Sequence, residues 1–163
     1  MMHVRQGDGE SQIAAGDAGR AELAAEIRDF YAERGDPDAL LAAFREAAVI
    51  VPMAGPRSLW NGSMRGTRWL YAFTSQGELE RFVHAKGAQR DADLAAQHGR
   101  ISFVTVLGFR LLDDVLSDLV REVREPAGIA VDVAGAYPML LPPTSGIVPD
   151  AIAVDTLAQG ATA

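Results

Sequence analysis

Apolar positions recur along this chain with two different periods, and their alternation predicts a fold built from both helices and strands. Leu23, Ile27, Phe30 and Tyr31 share one helical face, with Gly35 placed to cap that helix. Asp36 and Pro37 then restart the chain as N-cap and first helical residue of a second helix carrying Leu40, Leu41 and Phe44. Val49, Ile50 and Val51 are β-branched throughout and predict a short strand halted by Pro52. Trp69, Tyr71 and Phe73 alternate with Leu70 and Ala72, the pattern of a central strand covered on both faces. Ser75 to Glu78 matches a capping box, and Leu79, Phe82 and Val83 supply the apolar face of the helix it opens. Residues 86–100 read as a polar connection, and 101–107 as the next strand. Leu111, Leu112, Val115, Leu116, Leu119, Val120 and Val123 form the strongest helical stripe in the chain. Residues 129–133 and 137–141, separated by Ala134, Gly135 and Ala136, predict a closing β-hairpin.

This order predicts an α+β (mixed α/β) domain over residues 18–143. Its mixed sheet has about five strands, with two leading helices and two further helices packed on it. Residues 1–17 are aperiodic and read as a flexible leader. Residues 144–163 carry Ile147, Val148, Ile152, Val154 and Leu157, too apolar for an ordinary disordered end. Such a tail is expected to dock on its own sheet edge or on a second copy.

Charge narrows the chemistry. The 163 residues hold 22 acidic and 15 basic side chains, a net charge of −7, which disfavours a nucleic-acid partner. With no cysteine, disulfides, thiolate zinc sites and cysteine nucleophiles are excluded. No secretory signal and no apolar stretch of membrane-spanning length is visible, so the expectation is a cytoplasmic protein with no membrane partner. Phosphate-cradling glycine loops and nucleophile elbows are missing, so no cofactor, catalytic or metal residue is assigned. His84 reads as a solvent-edge helix residue. Asp113, Asp114, Asp118, Glu122 and Glu125 read as a solvated helix face offset by Arg110, Arg121 and Arg124.

One segment departs from the overall acidity. Between Glu46 and Glu78 there is no acid, while Arg57, Arg65 and Arg68 accompany Trp60 and Trp69. Guanidinium forks bind carboxylate or phosphate and stack on indole, so Arg57, Trp60, Arg65 and Arg68 are candidate binding residues. The competing reading is a turn-rich hairpin whose arginines pair with acidic helices of the same molecule.

Ala48 to Met53, Trp69 to Ser75 running into Glu78 and Leu79, and Gly128 to Gly135 followed by Pro138 to Pro143 resemble the SseB (enhanced serine sensitivity) N-terminal domain family. The resemblance covers roughly residues 38–143. It implies a compact α/β domain common in actinobacteria, with no established activity and no catalytic residues to carry over. The turn Asp132-Val133-Ala134-Gly135 departs from the Asn-Pro-Gly-like turn frequent in that family. The functional expectation is a non-enzymatic module that binds a protein partner or itself through loop 55–68 or the C-terminal segment. The alternative is a small-anion sensor or enzyme in which Arg57, Arg65 and Arg68 clamp the ligand.

Overall fold

The computed structural model describes residues 6–89 and 101–156. Helices α1 (Gln6–Tyr31) and α2 (Pro37–Glu46) lead into strands β1 (Ala48–Gly55), β2 (Ser58–Leu59), β3 (Asn61–Met64) and β4 (Thr67–Ala72). Helix α3 (Gln76–Gln89), strand β5 (Phe103–Leu107), helix α4 (residues 108–123) and strands β6 (Ala127–Val131) and β7 (Met139–Leu141) complete the domain. The α+β class expected from the sequence is present, with seven strands among the described residues in place of about five.

Helix α1 starts at Gln6, inside the segment expected to be a leader. Ala14, Ala15, Ala18, Ala21, Ala24 and Ala25 favour helix from residue 14 onward without an apolar stripe to announce it, whereas Gly7 and Gly9 disfavour it in the first turns. Its C-terminal cap falls on Glu33, at φ 60, while the Arg34 amide donates to the Asp29 carbonyl. The left-handed position is therefore two residues before Gly35, the residue expected to fill it. Asp36 caps α2 as expected, its side chain accepting from the Asp38 amide at 3.0 Å.

Strand β1 does not stop at Pro52. It pairs antiparallel with β5 from Ala48 to Pro52 and continues to Gly55. Backbone groups alternate sides along a strand, and the Val51 and Met53 positions face β5. Pro52 faces the other way, where its carbonyl accepts from Trp60 N–H at 2.8 Å. The absent amide therefore costs no bond to β5.

The strands form two groups, β2-β1-β5 and β3-β4-β6-β7. Ile50 and Phe73 join them by exchanging two backbone hydrogen bonds of 3.0 and 2.8 Å. Residues 58–64 fill the splay between β1 and β4. Trp60 is the pivot, donating to Pro52 on one side and accepting from the Tyr71 amide on the other. Strand β4 is central, antiparallel to β3 and parallel to β6, and β6 pairs antiparallel with β7.

One sheet face presents Val49, Val51, Leu70, Ala72, Ile129, Val131 and Leu141 to Leu23, Ile27, Phe44, Leu111, Leu112 and Leu116 from α1, α2 and α4. Helix α4 widens into a π-helical turn over Leu111–Val115, which lets Leu111, Leu112 and Leu116 all reach the core. Gly108 opens this helix where α2 passes closest: a Cβ there would lie 1.8 Å from the Phe44 carbonyl oxygen. The same close approach brings the Gly108 amide within 2.9 Å of the Ala47 carbonyl.

The C-terminal segment folds onto its own domain through residue 156. Val148, Ile152 and Ala153 are buried in the main core, and the Val154 amide donates to the Pro143 carbonyl at 2.8 Å. Ser145 and Asp155 close the loop with side-chain hydrogen bonds. The domain thus extends beyond residue 143, because these side chains complete the core. Leu157 lies outside the described residues.

Candidate functional site

Two concave features flank α3. The first is a crevice of about 540 Å³ at the carboxyl ends of the parallel strands β4 and β6, walled on one side by α1. Open sheets gather ligands at such strand ends, because loops diverge there and leave backbone and side-chain groups unclaimed. Both strands end in a polar residue. Thr74 follows β4 and Asp132 follows β6, and both are buried. The Asp132 carboxylate accepts from the Thr74 amide at 2.9 Å and from the Thr74 hydroxyl at 2.7 Å.

Asp132 takes a left-handed backbone at φ 49, tolerable for aspartate though unusual for a residue with a side chain. Burial raises its carboxyl above the usual range, opposed by the Thr74 hydrogen bonds and reinforced by the nearby Glu78 charge. Ser75 caps α3 by accepting from the Glu78 amide at 3.1 Å, one half of the expected capping box; among the described residues the Glu78 carboxylate does not return to the Ser75 amide but turns to Arg81. Glu78 binds Arg81 through one carboxylate oxygen at 2.9 Å, while its other oxygen is buried without a hydrogen-bond partner. That second oxygen packs against Gly135, where a Cβ would come within 2.2 Å.

Across the crevice, Arg20 and Arg28 project from α1. Arg20 is committed to Asp17 and to the Ala48 carbonyl. Arg28 is exposed and makes no salt bridge among the described residues. Tyr31 on α1 donates to the Pro138 carbonyl and packs its ring 5.3 Å from Tyr137, tying α1 to the β6–β7 connection.

The second feature is a groove of about 320 Å³ on the sheet face that α3 only partly covers. Met64, Trp69, Tyr71, Phe82, Val133 and Leu140 line it. Met64 and Leu140 are half-exposed, at 53% and 45%. Its lining contains no acid and a single charge, Lys86, whose ammonium lies 5.8 Å from the Phe82 ring centre. The Trp69 indole N–H is buried beside it without a hydrogen-bond partner.

The residues singled out by sequence are not gathered at one point. Arg57 lies in the exposed β1–β2 turn, and Arg65 in the exposed β3–β4 turn at φ 54. Segment 58–64, with β2 on β1 and β3 on β4, lies between the two turns. Arg68 is half-buried and faces Glu125 at 3.4 Å, with Ser63 donating to the same carboxylate at 3.0 Å. Trp60 packs edge-on against Phe82 with ring centres 5.5 Å apart. Arg65 and Arg68 therefore share one end of the β3–β4 hairpin and Arg57 occupies the other, and Trp69 rather than Trp60 lines the groove.

Sequence reasoning passed over Thr74, Glu78, Asp132 and Arg28. A polar residue just beyond an apolar run, Trp69 to Phe73 before Thr74 and Ala127 to Val131 before Asp132, is the signal that marks the two, but it needs the parallel register of β4 and β6 to become a pair. The charged face of α4 reads as expected in part: Asp113 takes both Arg45 guanidinium nitrogens at 3.1 and 2.7 Å, and Asp118 pairs with Arg121. His84 is exposed on α3. Among the described residues no group of three or more His, Cys, Asp or Glu side chains is arranged to hold a metal, and no helix is long and apolar enough to cross a membrane.

Comparison with known proteins returned no matching family model, no matching curated protein and no matching solved structure.

Proposed function

We propose that this chain is an SseB-like interaction domain, not a catalyst, and that it docks an acidic segment of a partner protein along the α3 face of its sheet. The observation that carries this reading is the groove beside α3. Half-exposed Met64 and Leu140 line it with the Trp69 and Tyr71 rings, and Met64, Trp69 and Tyr71 belong to the stretch that has no acid between Glu46 and Glu78. Aromatic and Met side chains are the residue types that anchor protein interfaces. Arg65 beyond Met64 and Lys86 on α3 supply positive charge at the rim, with Arg57 at the far turn of the same segment. Spread along an extended segment, these charges suit an extended acidic chain better than one small anion, which favours the partner reading over the clamp. Within the resemblance, the segment Trp69 to Ser75 corresponds to β4 and the cap of α3, and Gly128 to Gly135 to β6 and its turn.

Selection of a displayed random-peptide library on the immobilised full-length protein tests the proposal. Enrichment of acidic sequences carrying aliphatic or aromatic anchors is expected, with binding abolished by Trp69→Ala and weakened by replacing Arg57, Arg65 and Arg68 with Gln. Enrichment of basic sequences, or of none, overturns it. Concentration-dependent dimerisation that Trp69→Ala removes would make a second copy the occupant and refute the acidic-segment reading.

A further inference from the structure

The crevice at the ends of β4 and β6 is separate from the interaction groove, and its charges are arranged differently. Carboxylates of Asp132 and Glu78 stand on the sheet and α3 side, while the Arg28 guanidinium stands on α1. Ala21, Ala24, Ile27 and Tyr137 form an apolar stretch of the wall, beside Ser75, Gln76 and the mutually paired Asp17 and Arg20. We infer that this crevice binds a small zwitterion of the α-amino-acid class with an apolar side chain, its ammonium directed to Asp132 and its carboxylate to Arg28.

The two signs of charge select this class. A plain anion would satisfy Arg28 and face two carboxylates; a plain amine would satisfy Asp132 and leave Arg28 opposing it. A molecule with both groups on one carbon answers each with its opposite. The site also shows features of a built receptor. Both Thr74 hydrogen bonds fix the Asp132 carboxyl in place, so it meets a ligand without reordering. Each carboxylate oxygen keeps a further lone pair after accepting from Thr74. Asp132 holds a left-handed backbone in the connection that Tyr31 braces through Pro138, and non-glycine residues in that conformation concentrate at ligand clamps. Glu78, although paired with Arg81 through one oxygen, adds negative charge beside Asp132, which an incoming ammonium offsets. A volume of about 540 Å³ leaves room for a branched or aromatic side chain against Ile27 and Tyr137.

Calorimetric titration of the full-length protein with L-leucine and L-phenylalanine tests the inference, with isoamylamine and isocaproate as the leucine skeleton carrying one charge each. Saturable binding of at least one amino acid is expected, with both single-charge analogues weaker by about tenfold or more. Arg28→Gln, a change at an exposed side chain, should raise Kd for the amino acid by about tenfold or more without moving the melting temperature. Asp132→Asn should do the same through the ammonium; if that variant fails to fold, Arg28→Gln alone decides. Absence of amino-acid binding, equal binding of a single-charge analogue, or binding indifferent to Arg28→Gln overturns the inference. None of these results depends on Trp69, so the groove and the crevice stand or fall separately.

Discussion

The sheet face beneath α1, α2 and α4 buries a continuous cluster that runs from Leu23 to Ala153, whereas the opposite face buries Ile50, Phe73, Leu79 and Phe82 under α3 and leaves the rest open. Both faces belong to the same strands, and residues one apart on β4 go to opposite sides: Leu70 and Ala72 to the closed face, Trp69 and Tyr71 to the open one. The difference lies in the residue types. Mostly aliphatic side chains, with Phe44 the aromatic among them, fill the three-helix face, while the α3 face carries several rings and a thioether, which tolerate partial exposure. Most of the buried core therefore lies on one side of the sheet, and the proposed docking groove on the other.

Truncating the closed face should have the largest effect. Leu116 is fully buried, and Leu116→Ala is expected to cost about 3–5 kcal/mol, measured by denaturant unfolding. Leu140→Ala on the open face should cost less than about 1 kcal/mol, because much of that side chain already meets water. Comparable costs at the two positions would break the contrast. Gly108→Ala sharpens it from the backbone side, since its new methyl meets a carbonyl of α2 rather than a flexible side chain.

Truncation after Thr144 ranks next. It removes Val148, Ile152 and Ala153 from the closed face. Burial of Val148 and Ile152 contributes about 1.5–3 kcal/mol each before the cost of ordering the segment. A fall in melting temperature of several degrees with unchanged mass by light scattering is expected. A truncated protein as stable as the full chain would remove the tail from the core.

These contrasts also mark what could be read from the sequence. Helix α2, strand β4, the Ser75 cap and the β6–β7 pair were legible because each is set by local pattern or by a capping residue. The N-terminal part of α1 was not, since residues 6–20 lack apolar periodicity and carry Gly7, Gly9, Gly16 and Gly19, which local propensity reads against helix. The run of β1 through Pro52 was hidden because a proline's tolerance depends on which neighbour its missing amide would face, a tertiary fact. Arginines 57, 65 and 68 stood out by charge, yet charge along a chain says nothing of how far apart two turns will lie. The crevice was the least visible: Thr74 and Asp132 are 58 positions apart in the chain and meet only through the parallel register of β4 and β6.

Replacing Arg57, Arg65 and Arg68 together with Gln tests the open face with a smaller change in stability. Arg57 and Arg65 are exposed and unpaired with any acid among the described residues, and Arg68 meets Glu125 in a half-buried pair. Half-exposed and exposed pairs of this kind are worth about 0–1 kcal/mol. Unfolding should therefore shift by no more than about 1 kcal/mol, while affinity for the selected acidic peptide falls. A large loss of stability would move these arginines from recognition to folding.

The smallest expected change in stability lies at Asp132, and its sign separates the crevice from the rest of the protein. Burial raises the Asp132 carboxyl in the folded state above its value in the unfolded chain, against the Thr74 hydrogen bonds and with Glu78 adding to the rise and Arg81 opposing it. A group raised in this way contributes its full stability below the unfolded value near pH ~4 and loses it as pH climbs through the folded value. Asp155 runs the other way: Ser145 hydrogen bonds lower its carboxyl, so its contribution is present above the unfolded value and lost as pH falls through the folded one. Other groups around the crevice, Asp17, Arg20, Arg28, Glu78, Arg81 and Tyr137, remain unchanged when Asp132 alone is replaced. Asn keeps an acceptor for the Thr74 amide and tolerates the left-handed backbone. The stability difference between Asp132→Asn and the parent should therefore shift in favour of Asn as pH rises from about 4 toward neutrality, measured by urea unfolding at each pH. A difference that is flat with pH, or that shifts toward the parent, would mean that the Thr74 hydrogen bonds outweigh burial and that Asp132 is an ordinary ionised carboxylate.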